Sequence, residues 1–197
     1  MKRVDIVLAL ITGEITAWFF YYLLGDVVKV DNLGLILAVS FPILAVIGVW
    51  LAWLLGKRFL WLFQLAKYLL IGVLATITDL GVLNLLMLAS GITAGGLFSV
   101  FKGVSFLIAT SAKYFGDKFW AFEKMERTGM GKEFSKFFFV TLIGLGLNVG
   151  TASFIVNVVG PQFGISSTLW ANVGGIAAAF AVTAWNFIGY KFIVFKS

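Results

Sequence analysis

The chain contains no cysteine and no histidine, and only two of its 197 residues are proline. Without cysteine there is no disulfide framework and no thiol nucleophile. Without either residue, haem and imidazole- or thiolate-bound zinc drop out, together with the commonest general base. Charge is scarce too: 12% of residues are charged, against roughly a quarter in a soluble domain. What is present is apolar, 61% hydrophobic with a mean hydropathy of +1.03. The expected fold class is an all-α integral membrane protein. No nucleophile, base and orienting group occur together, no metal-ligand spacing is present, and no glycine-rich phosphate loop follows a strand. The chain therefore reads as a protein that is not an enzyme and has no cofactor or metal.

Apolar runs of about 20 residues, the length a crossing needs, fall at about 4–24, 33–55, 66–89, 97–119, 136–159 and 168–192. Six transmembrane helices follow. Met1-Lys2-Arg3 ahead of the first run imitates a signal peptide, but Asp5 and Glu14 interrupt it and no small-residue cleavage site follows, so a retained span is expected. The segment KRFLWLFQLAKY between spans 2 and 3 reads either as a short amphipathic turn at headgroup level or as the belted end of a span.

The pI near 9.6 and net charge of +6 would suggest nucleic acid in a soluble chain, but here the location of the charge decides otherwise. Thirteen of the 15 basic residues fall on one side of the six-span topology, among them Lys2, Arg3, Lys57, Arg58, Lys67, Lys113, Lys118, Lys124, Arg127, Lys132, Lys136, Lys191 and Lys196. Lys29 lies on the other side and Lys102 inside a span. By the positive-inside rule both termini are cytoplasmic, in a multi-pass protein of the cell (inner) membrane, with no nucleic-acid partner.

The sequence also repeats itself. In the first arms a shift of 69 superposes Lys67 on Lys136, Asp79 on Asn148, Gly81 on Gly150 and Gly91 on Gly160; in the closing arms a shift of 73 superposes Thr110 on Thr183, Gly116 on Gly189, Lys118 on Lys191, Phe119 on Phe192 and Phe122 on Phe195. Each copy holds two spans, so both enter from the same face as parallel-repeat helical hairpins, with any midplane site at their interface. Small residues such as Gly72, Gly81, Gly144, Gly174 and Gly175 would let backbones approach closely.

Glu14, Asp79 and Lys102 stand well inside spans, where an ionisable group costs roughly 2.5 to 3.5 kcal/mol on insertion scales. At 1.5 Å per residue Asp79 lies roughly 15 Å, and Lys102 roughly 7 Å, from the outer ends of their spans, a difference that a lysine stem largely covers. Asp79 and Lys102 can therefore pair within their hairpin; the alternatives are a Lys102 that snorkels outward and other partners such as Glu14. Asn84, Asn148, Asn157, Asn172 and Asn186 add amides to the spans, either as helix-helix glue or as part of a polar pathway.

The stretch from about 64 to 195, with AKYLLIGVLATITDLGVLNLLML, then FKGVSFLIATSAKYFGDKFWAF, then the second copy, resembles the GtrA-like membrane proteins. Asp79 matches the aspartate of the family's first helix, and Tyr114, Lys118, Trp120 and Phe122 match its closing aromatic-basic motif; Asp117 stands where asparagine is common, and Tyr190 and Ile193 depart from the motif in copy two. Spans 1 and 2 read as an N-terminal two-helix hairpin and connector at 1–63, outside the family's pattern, and the resemblance implies a four-helix domain at 64–197 with repeats at about 64–125 and 133–197. It also implies flipping of a polyprenyl-phosphate-linked sugar for cell-surface polysaccharide or glycan synthesis. Such a task needs a polar track for sugar hydroxyls, a cation for the phosphate and an apolar flank for the prenyl tail. Asp79, Lys102, Lys113, Lys118, Asn148, Asn172, Asn186 and Lys191 are the candidate substrate-binding residues. Two other readings stay open: a noncatalytic accessory partner of a membrane-associated glycosyltransferase, and a small proton-coupled transporter using Glu14 or Asp79. Membrane lipids are partners in every case, and a homo-oligomer is left open.

Overall fold

The computed structural model describes residues 1–25, 28–123 and 130–194. Lys124, Arg127, Lys196 and the repeat landmark Phe195 lie outside the described residues. Among the described residues six helices follow one another: α1 Arg3–Leu24, α2 Leu33–Gly56, α3 Leu60–Ser90, α4 Gly96–Gly116, α5 Met130–Ser153 and α6 Ser167–Gly189. No strand occurs among the described residues. The connector between spans 2 and 3 is not a separate turn, because α3 begins at Leu60 and absorbs most of it.

Five of these helices are long and apolar enough to cross a membrane. The remaining one, α4, is diluted by Lys102 and Lys113, yet both lysines are buried, while Leu97, Val100, Val104, Leu107, Ile108 and Phe115 face outward. Its outer surface is thus as apolar as that of its neighbours. In water such exposed faces would be aggregation hazards. In a bilayer they are the solvated side, and the protein is an all-α integral membrane protein.

The chain forms two compact units, Met1–Ile77 and Thr78–Ser197. In the first, α1 and α2 pair as an antiparallel hairpin. Gly13 lies against the backbone of Pro42, Gly34 against the Tyr21 ring, and the Phe20 and Phe41 rings are 5.5 Å apart. Asp5 accepts from the Lys2 backbone N–H at 2.7 Å and pairs with Lys67 at 3.3 Å, both side chains being almost fully buried. Lipid tails give apolar helices little reason to associate, so close backbone approach and such polar contacts hold this unit together.

In the second unit some backbone features recur at the spacings of the sequence landmarks. Three helices end in π turns with i to i+5 hydrogen bonding geometry: Asp117–Ala121 after α4, Phe154–Val159 after α5 and Tyr190–Val194 after α6. The first and last are related by the same shift of 73 that aligns the closing motifs, and α3 and the extended α5 end at Ser90 and Val159, related by the shift of 69. Gly91 and Gly160, equivalent under that shift, close these arms with φ of +71 and +70°. Only glycine takes this conformation without strain, which explains why it recurs at both positions.

Packing between α5 and α6 uses small residues on both sides. A Cβ at Gly174 would stand 2.9 Å from Val156, one at Gly144 2.8 Å from Asn186 Oδ1, and one at Gly189 2.5 Å from Val140. Gly72, Gly81, Gly146 and Gly150 meet nothing within 4 Å, so those glycines are not sites of close helix approach.

Candidate functional site

Within the second unit the polar side chains turn inward and fall into layers along the helices. The first contains the mid-span ion pair. Lys102 Nζ of α4 bonds to Asp79 Oδ2 of α3, and Ser105 Oγ donates to Asp79 Oδ1 at 2.5 Å. Lys102 and Ser105 are fully buried, and Asp79 nearly so. Both carboxylate oxygens are thereby satisfied, as a buried charge requires. Of the alternatives open for Lys102, snorkelling and Glu14 are set aside by this pairing. Gly175 of α6 makes the room, since a Cβ there would meet the Leu80 side chain and come within 3.8 Å of Lys102 Nζ.

One helical turn further along, Asn84 of α3 and Asn172 of α6 exchange amide hydrogen bonds of 2.8 and 3.0 Å. Each also donates to its own helix, to Leu80 O and Thr168 O. Together with the ion pair they tie α3 to both α4 and α6.

The second layer lies about 16 Å along α4, eleven residues on at 1.5 Å each. Here Lys113 bonds to Asp117 Oδ2 across one helical turn, with its ammonium 5.5 Å from the centre of the Tyr190 ring. Tyr190 Oη lies 3.3 Å from Thr141 Oγ1 of α5. Beside them Lys118 Nζ and Tyr114 Oη both donate to Glu133 Oε1, at 2.6 and 2.8 Å. The Tyr114, Phe137 and Tyr190 rings stack through this layer, with centroids 4.6 and 5.3 Å apart.

Between the layers stand Asn148 and Asn186. Both are buried, and the Oδ1 of each has no hydrogen-bond partner among the described residues. Gly144, one turn from Asn148 on α5, faces Asn186 across the α5–α6 seam. Asn148 is the counterpart of Asp79, and Asn186 of Lys113 under the shift of 73. Copy two therefore carries neutral amides where copy one carries charges. Asp117 Oδ1 is a third buried acceptor without a partner.

All eight candidate residues lie in this unit, but in different ways. Lys102, Lys113 and Lys118 each meet an internal carboxylate rather than standing as bare cations. Asn172 is engaged by Asn84. Lys191 is half-buried, with its ammonium 5.8 and 5.7 Å from the Phe187 and Phe192 rings. Ser105, Thr141 and Glu133 join the layers without having been singled out from sequence. Asp117, four residues after Lys113, carries a local helical signal for its pairing; Glu133 meets Lys118 from the next helix, which no periodicity reveals. Thr76, Ser111 and Thr183 donate to carbonyls one turn back in their own helices.

The family model for the GtrA/DPMS transmembrane domain matches residues 67–195, a stretch that contains every layer just described. The chain belongs to the GtrA/DPMS transmembrane-domain family. No curated protein and no solved structure matches it significantly. Membership places this GtrA/DPMS protein in polyprenyl-linked sugar glycosylation pathways, as a multi-pass membrane protein. The family's first-helix aspartate, Asp79, is the residue that neutralises Lys102.

Proposed function

We propose that the protein flips a polyprenyl-phosphate-linked sugar across the cell membrane for cell-surface polysaccharide or glycan synthesis. The observation that carries this reading is the GtrA/DPMS match over a unit whose polar groups step through the interior beneath an apolar exterior. Asn148 and Asn186 offer buried amide oxygens that accept from sugar hydroxyls, and in lipid an unpaired acceptor is costly enough to favour any donor that reaches it. Lys118 and Lys191, at equivalent closing positions, serve the phosphate. Asp79, Lys102, Lys113 and Asn172 shape the track through the contacts that fix them. Exposed Phe115, Phe119, Phe138 and Phe139 give a prenyl chain an apolar surface beside Lys118 and Glu133. The test is reconstitution of the purified protein alone into vesicles holding a polyprenyl-phosphate hexose in one leaflet. Transfer to the other leaflet is expected, and its absence at confirmed folding rules the reading out.

The accessory reading is favoured by one observation outside the family match. Glu14 sits in the outward face of α1, among exposed Val7, Leu10, Ile11 and Trp18, where its carboxylate accepts from the Trp18 indole at 2.8 Å. A mid-span carboxylate on a lipid-facing surface suits a partner helix carrying a donor at that depth, as a membrane-bound glycosyltransferase could supply.

Both readings take the same orientation, with the two termini and the loop after α4 in the cytoplasm. Single cysteines at Ala94 and Gly164 are expected to react with an impermeant thiol reagent from outside, and one at Lys132 only from inside. The reverse pattern would invert the topology. Position 128, expected to be accessible only from inside, lies outside the described residues.

A further inference from the structure

Lys118 and Tyr114 converge on a single oxygen. One is an ammonium donating at 2.6 Å and the other a phenol donating at 2.8 Å, both to Glu133 Oε1. They stand one turn apart where α4 passes into its π turn, and π turns of this kind are frequent at functional sites. The Tyr114 ring is fixed against Phe137 and Phe115, with centroids 4.6 and 5.4 Å away. Lys118 is 1% exposed. The donors are thus preorganised, and the acceptor is a buried glutamate in the opening turn of α5. Displacing that one carboxylate would open the position between the two donors.

We propose that Glu133 occupies an anion site formed by Lys118 and Tyr114, and that the phosphodiester of a lipid-linked sugar takes its place. This rests on the flippase reading above. The argument is one of charge and shape. A carboxylate carries one negative charge on two oxygens, and a sugar phosphodiester carries one negative charge on two non-bridging oxygens. Exchanging one for the other leaves the charge facing Lys118 unchanged. A phosphomonoester carries about −1.5 to −2 near pH 7, so it would bring a charge that this buried cation does not balance. The site therefore selects the sugar-bearing diester over the bare polyprenyl monophosphate left once the sugar has been transferred, and Glu133 is the internal competitor that sets the affinity.

The experiment measures binding of a polyprenyl-phosphate hexose, a polyprenyl monophosphate, phosphatidylglycerol and inorganic phosphate to the full chain in zwitterionic nanodiscs. The wild-type protein is expected to prefer the hexose diester. Glu133→Gln removes the competing charge and should tighten the diester about tenfold, within the usual range of couplings between sites. The same change should tighten the monophosphate more, because the repulsion it meets is relieved. Tyr114→Phe keeps the ring and loses one donor, and should weaken the diester about tenfold, the scale of a hydrogen bond to a charged group. If Glu133→Gln lowers the folded yield, Tyr114→Phe and the monophosphate comparison decide the matter. Wild-type binding that neither substitution changes would overturn the exchange and leave the flippase reading standing. Equal binding of phosphatidylglycerol or inorganic phosphate would overturn the assignment to a lipid-linked sugar. Failure of every protein to bind the hexose diester would remove both the exchange and the reading beneath it.

Discussion

Replacing Asp79 by leucine is expected to destabilise the protein by about 3 to 5 kcal/mol, the usual consequence of removing one partner from a buried ion pair. The leucine itself is not the difficulty, since it is close to aspartate in reach and suits the interior. The difficulty is Lys102, fully buried and left without the carboxylate that neutralises it. Ser105 loses its acceptor at the same time. The compensated variant Asp79→Leu/Lys102→Met removes both charges and keeps comparable volume, so most of the loss should be recovered. Thermal unfolding in detergent or bilayers for the wild type, the single variant and the double variant checks this. A single variant as stable as the wild type, or a double variant no better than the single one, would show that the pair does not hold α3 to α4. Lipid-linked sugar transport by the double variant then asks a separate question. If stability returns and transport does not, the pair belongs to the track as well as to the scaffold.

Much of this arrangement is legible in the chain because the membrane simplifies the reading. A solvent without donors forces helices, so lengths of apolar run translate directly into spans. It also makes every interior charge conspicuous, which is why Asp79 and Lys102 stand out and why their depths predict the pairing found. The repeat is legible for a related reason: the glycines at 91 and 160 are required by positive φ, and the closing motifs end in equivalent π turns. The start of α3 is harder to read, because basic residues and aromatics fit a helix end and a headgroup-level turn equally well. Partners across loops are harder still. Glu133 belongs to α5, and nothing in the spacing of Lys118, Tyr114 and Glu133 announces that they meet.

The lysines illustrate the limit most clearly. From sequence, Lys102, Lys113 and Lys118 are cations available to a phosphate. In the fold each has a carboxylate of its own, from Asp79, Asp117 and Glu133. Two of these pairs are made within the α3–α4 arm, by residues on adjoining or identical helices. The third is made across to α5. What distinguishes the three is therefore not charge but which element supplies the carboxylate, and the lysine's own position does not reveal that.

Gly13→Val in the first unit should be the most damaging of the glycine substitutions there. A Cβ at Gly13 would stand 2.6 Å from Pro42 N and 2.9 Å from the Phe41 carbonyl carbon, both backbone atoms that no rotamer change can move. Valine adds two methyl groups to that overlap, so α1 and α2 must separate along their seam, with a loss at or above the roughly 1 to 3 kcal/mol typical of overpacking. Gly48→Val, in the same hairpin with nothing within 4 Å of its Cβ, is the control and should leave stability nearly unchanged. Cross-linking of cysteines placed at Phe20 and Phe41, whose rings are 5.5 Å apart, reports the separation directly. Undiminished cross-linking with Gly13→Val would mean that the seam tolerates the branch and that the hairpin is held elsewhere. Because α1 and α2 precede the GtrA/DPMS match, the same variant also separates the two functional readings. A flippase confined to the matched domain keeps its transport in vesicles when the hairpin opens. If the hairpin instead docks a glycosyltransferase through the face around Glu14, glycan assembly in cells should fall while transport by the purified protein is retained.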